Sequence, residues 1–144
     1  MATLDVKTIG GSPNSAITDA NYDSWLAVAL DSSRAGNGLS PVNYNLTGDT
    51  ADADEVYGVL GSKAASTESK AEDTIIRGGV TPVQFAATYV RATHQGLRVV
   101  SSTTAGVVQH TTTAGVGRGR IVDGGTMVIK GSTENIVFVD WDAN

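Results

Sequence analysis

Asp49, Asp52, Asp54 and Glu55 crowd one turn of the chain. Closely spaced carboxylate oxygens are the ligands a hard cation such as Ca²⁺ takes. The turn lacks the ligand order and central glycine of an EF-hand, so it reads as a solvated acidic turn rather than a metal loop. A second group is Gly115-Val116-Gly117-Arg118-Gly119-Arg120, glycine-rich as phosphate-cradling loops are. It has neither a Walker Lys-Ser/Thr ending nor G-x-G-x-x-G spacing ahead of a helix. It reads as a turn carrying two arginines. Arg118 and Arg120 are candidates for contact with an acidic partner surface, because guanidinium forks match carboxylates bidentately.

His94 and His110 are the only histidines and fall in no H-E-x-x-H or paired-ligand spacing, which makes them surface or strand residues. No G-x-S-x-G elbow precedes a helix, so no serine is singled out as a nucleophile. The chain has no cysteine, which excludes disulfides, thiolate metal sites and a cysteine nucleophile. The expectation is a chain without catalytic residues, metal or cofactor. Asn45-Leu46-Thr47 matches a glycosylation acceptor but lacks the secretory context that would give the match meaning. Trp25, Phe138 and Trp141 are expected to seal the core.

The elements around these residues read as short strands. Glu55 to Leu60 and Thr74 to Val80 form two β-branched and aromatic runs, joined by a polar connection over 61–73 with no apolar stripe to hold a helix. Tyr22 to Leu30 fits helical spacing as well as strand. Strand is preferred because Ala35-Gly36-Asn37-Gly38 reads as a turn into Pro41 to Leu46, completing a hairpin. A further strand is expected over 82–90, with Pro82 at its start. Strands over 97–100, 107–110, 121–122, 126–129 and 135–139 follow, with turns at Asp123-Gly124-Gly125 and Gly131-Ser132-Thr133 and a frayed end over 142–144. Gly10-Gly11-Ser12-Pro13-Asn14 reads as a breaker cluster that frees residues 1–20 as an N-terminal arm, leaving 21–144 as a single domain.

At 144 residues the chain is long enough for one core, and folding at this size buries roughly 68–70% of the unfolded surface. With 17 glycines and 6% aromatics, it has the balance of short strands and tight turns. The fold expected is mainly β, a small barrel or sandwich. A net charge of −5 argues against phosphate neutralisation, so nucleic acid is not an expected partner. No apolar run approaches the roughly 20 residues that span a bilayer, and residues 1–11 carry no signal-peptide core, so a soluble chain without that signal is expected.

Val28-Ala29-Leu30-Asp31, Asp52-Ala53-Asp54-Glu55, Gly58-Val59-Leu60 and Ile76-Arg77-Gly78-Gly79-Val80 resemble segments of the head decoration proteins of tailed bacteriophages. Leu97-Arg98-Val99-Val100, the run from Thr104 to Val108, and Gly119 to Gly125 are similar to small capsid cement proteins. Together they cover roughly residues 22–139. The resemblance implies a β-tulip-like body on the outer surface of an icosahedral shell. It also implies a homotrimer clamping neighbouring capsomers, with the major capsid protein as partner and an N-terminal arm that orders on the shell. Leu4, Val6 and Ile9 are the apolar anchors expected in that arm, where an extended segment gains main-chain hydrogen bonds at a sheet edge. The alternative is a virion-surface adhesion or glycan-binding module, with Tyr22, Trp25, Tyr44 and Trp141 exposed as a platform.

Overall fold

Successive side chains of an extended chain point to opposite faces, so a run such as Leu26-Ala27-Val28, buried throughout, must lie between two cores. A computed structural model shows how; it describes residues 7–14, 17, 23–31, 42–48, 51, 53–61 and 73–144. Strands β1 (Thr8–Pro13), β2 (Ala27–Leu30), β3 (Val42–Leu46), β4 (Gly58–Leu60) and β5 (Asp73–Ile76) close a barrel in the order β1-β3-β2-β4-β5. Every neighbouring pair is antiparallel except β1 with β3. The protein is therefore mainly β with a closed barrel, as its composition implies.

Outside the barrel, β6 (Val80–Gln84), β9 (Arg120–Ile129) and β10 (Ser132–Asp140) form a sheet in the order β6-β10-β9, and β7 (Arg98–Ser101) pairs with β8 (Val108–Thr111). A single helical turn, α1, spans Arg91–His94. Ala27 and Val59 join a core with Val83, Val99, Val137 and Trp141. Their sequence neighbours Val28 and Leu60 join Tyr44, Leu46 and Ile75 inside the barrel. Strands β2 and β4 are thus the wall shared by both cores. Backbone bonds run off this wall in each direction, from Ala27 N–H to Gly106 O (2.7 Å), Thr47 N–H to Ala27 O (3.1 Å) and Gln84 N–H to Trp25 O (2.9 Å).

Several expectations hold locally. The hairpin of β2 and β3 forms, with Val28 opposite Leu46, and β4 pairs with β5, with Val59 opposite Ile76. Others are corrected. Gly10 to Pro13 break nothing: they lie in β1, which pairs Gly11 with both Val42 and Asp73. Gly11 is there for space, since a Cβ would overlap Ile75 Cδ1 and come within 2.9 Å of Tyr44 Cδ1. The stretch of the expected arm from Thr8 to Pro13 is accordingly a barrel strand; residues 1–6, and the connection over 62–72, lie outside the described residues.

Glu55 to Tyr57 precede β4 without strand pairing, and residues 86–95 hold α1 rather than a continued strand. Pro82 sits inside β6, not at its start; β6 is an edge strand, where a missing N–H is tolerated. No turn forms at Asp123-Gly124-Gly125: β9 runs through them, paired with Phe138, Val137 and Ile136. The ladder is interrupted only by a shift between Phe138 and Val139 that skips Val122. The C-terminal residues are tied down as well. Trp141 is 5% exposed and donates from Nε1 to Thr81 Oγ1 at 2.8 Å, and Asp142 Oδ2 accepts from Gly79 N–H at 3.0 Å.

Gly11→Ala tests the packed barrel interior. Tyr44 is a rigid ring, fully buried, so the added methyl overpacks the core and should cost about 1–3 kcal/mol. A urea unfolding midpoint unchanged from wild type would show that β1 yields more easily than this geometry allows.

Candidate functional site

Polar groups converge where the chain enters β4, leaves β5 and turns ahead of β9. Gly117 (φ 88°) and Gly119 (φ 65°) occupy the left-handed region on either side of Arg118, a conformation glycine adopts without strain. Arg118 meanwhile bridges to Val99 in both directions, donating to its carbonyl at 3.0 Å and accepting from its N–H at 3.1 Å. The backbone so fixed aims the side chain inward. Nη1 donates to Tyr57 O and, at 3.5 Å, to Val56 O. Nη2 donates to Arg77 O at 2.6 Å, and the guanidinium lies 5.4 Å from the Trp141 ring centroid. Burial first, then the neighbouring Arg77 charge, push the Arg118 pKa below its ordinary value, opposed by Asp142 and Tyr57.

Arg77 follows β5 and stacks on the Tyr57 ring at 3.9 Å, with Nε donating to Tyr57 O at 3.1 Å. Two guanidiniums therefore meet at one carbonyl. They line a cleft of about 410 Å³ together with Ala29, Leu30, Val56 and the acidic Asp54 and Glu55. Arg118, expected on an open turn and free for a partner, is instead a half-buried clasp between the barrel and the second core. Arg77, which the sequence reading did not select, is the member with donors to spare. The only available signal was its place directly after an apolar strand.

The other candidate residues disperse. Arg120 donates to Gly96 O and Asn144 O, each at 3.0 Å, on a different face. Ile9 is half-buried against the barrel core, so it is not an anchor on a projecting arm; Leu4 and Val6 lie outside the described residues. Asp49 and Asp52 lie outside them too, while Glu55 Oε1 accepts from Gly48 N–H. Of the aromatics expected as an exposed platform, Tyr44 is 0% exposed, with its hydroxyl donating to Asp73 Oδ2 at 2.6 Å. Trp141 is buried, Trp25 is half-buried against the second core, and Tyr22 lies outside the described residues.

His94 is buried, not a surface or strand residue. Its ring stands 4.9 Å from that of His110 on β8, 5.1 Å from Phe85 edge-on and 6.0 Å from Tyr89. Val90 N–H donates to His94 Nδ1 at 2.9 Å, which requires that nitrogen to be unprotonated. Burial first, then the facing His110, lower the His94 pKa. Unfolding therefore takes up a proton near the ordinary histidine value of about 6.5. The stabilisation is present above that pH and is lost as pH falls through it towards the lower folded value. Urea midpoints should drop between about pH 7 and pH 5, and His94→Gln should flatten that drop. An identical pH slope in the variant would place the coupling elsewhere.

No family model and no curated protein matches this chain.

Proposed function

We propose that this chain is a structural virion protein that binds the outer surface of an icosahedral phage capsid and stabilises the shell by bridging neighbouring capsomers. The observation that carries the reading is where the resembling segments fall. Val28 to Leu30 lie in β2, Gly58 to Leu60 form β4 and Ile76 ends β5, so the segments supply one barrel strand whole, most of a second and the last residue of a third. The barrel is the kind of β body expected of a decoration protein. Two cores on a shared wall give such a body stiffness without a disulfide staple.

The mechanism is one of number. Each copy buries a modest interface, and many copies on a closed lattice act together through multivalency, so no single contact needs to be tight. A homotrimer on the major capsid protein suits three-fold positions of the shell, where symmetry can be templated by the surface beneath. The arm anchors reduce to Leu4 and Val6, since Ile9 belongs to the barrel.

Quantitative mass spectrometry of intact virions should find this chain about as abundant as the major capsid protein. A handful of copies per particle would favour an adhesion role, and absence would end the proposal. Removal of residues 2–6 leaves β1 whole and should lower shell occupancy while the unfolding midpoint stays put.

A further inference from the structure

The Arg77–Arg118 cleft holds two cations in a chain of net charge −5. Neither guanidinium has a carboxylate within ion-pair reach among the described residues, where the ion pair present is Lys130 with Asp23. Arg118 spends its terminal nitrogens on the carbonyls of Val56, Tyr57 and Arg77. Arg77 spends only Nε, on Tyr57 O. Its two terminal nitrogens keep an unfilled fork among the described residues, and stacking on Tyr57 fixes the plane of that fork. A preorganised guanidinium plane with paired N–H donors matches a carboxylate in two parallel hydrogen bonds.

We propose that this cleft is a binding site for the carboxylate of a glutamate or aspartate side chain, presented by an acidic polypeptide segment. Leu30, 55% exposed, and Ala29 flank the charged centre with apolar surface suited to the methylene stem and backbone of such a segment. Asp54, exposed, and Glu55 stand at the same cleft and repel a compact dianion more than one side-chain carboxylate whose neighbours along the segment lie outside the cleft. Arg118 acts as a positioning residue: it holds Tyr57 O, on which Arg77 also rests, and adds its charge without contributing the fork. The inference stands apart from the shell reading, since its chemistry comes from this chain alone.

The test is an amide and arginine Nε–H NMR titration of the full chain at low salt with a blocked hexaglutamate peptide. Blocked hexaglutamine and sodium acetate at matched carboxylate concentration serve as the other two probes. Expected are saturable shifts confined to residues 54–57, 77 and 118 with hexaglutamate and none with hexaglutamine. Arg77→Gln should weaken binding by roughly tenfold or more. Arg77→Lys should recover little, because the point charge returns without the fork. Arg91→Gln, which removes an exposed cation on α1, should bind like wild type. Equal affinity of Arg77→Gln and wild type, or acetate saturating the same resonances as strongly, would overturn the assignment. So would the absence of shifts at millimolar peptide. Because the readout is made without a shell, its failure leaves the virion stoichiometry standing, and the reverse also holds.

Discussion

The wall of β2 and β4 is buried on both faces at Ala27, Val28, Val59 and Leu60, and that constraint governs the rest of the molecule. Ala27 and Val59 point one way, Val28 and Leu60 the other, and all four are essentially inaccessible. Each fully buried Val or Leu side chain contributes about 1.5–3 kcal/mol, so neither core can be given up without exposing one side of the wall. A slip of one residue would exchange the two sets, placing Ala27 in the barrel and Val28 against the second core. The short strands are thus specified by burial on both faces rather than by the alternation that marks a half-solvated sheet.

The ends of such a wall have polar backbone that the cores cannot satisfy, and the arginine clasp answers this need. The carbonyls of Val56 and Tyr57, just before β4, and of Arg77, just after β5, are gathered by one guanidinium. Burying a cation is costly unless its donors are used; Arg118 uses its donors on neutral oxygens and stays half exposed. Attraction to a carboxylate is therefore not what holds it. Asp142 offsets the Arg118 charge from outside ion-pair reach, and Arg77 keeps a fixed plane on the Tyr57 ring.

Strand identity was legible where burial is local. The β2–β3 hairpin and the β4–β5 pairing follow from apolar runs separated by turn residues. Gly11 and Gly124 misled for one reason: glycine signals a turn when only neighbours in sequence are weighed. In the fold Gly11 yields space to Tyr44 and Ile75, and Gly124 sits in a ladder opposite Val137. Both reasons involve residues far along the chain. His94 was missed similarly, since its partners Phe85 and His110 come from separate elements. The site was half legible. Arginines near a glycine turn were visible, but which one the positive-φ backbone turns inward depends on the Val99 bridge.

Rigidity and recognition are consequently separated in this chain. The shared wall holds Tyr57, whose N–H bonds Val28 O at 2.8 Å, and the backbone just before β1 holds Arg77, whose N–H bonds Lys7 O at 2.7 Å. The guanidinium of Arg77 is held by one carbonyl, Tyr57 O at Nε, and by the Tyr57 ring beneath. A charged group ordered before its partner arrives loses little conformational entropy on binding. In the proposed shell role, a modest contact of that kind would act through repetition over many copies rather than through affinity.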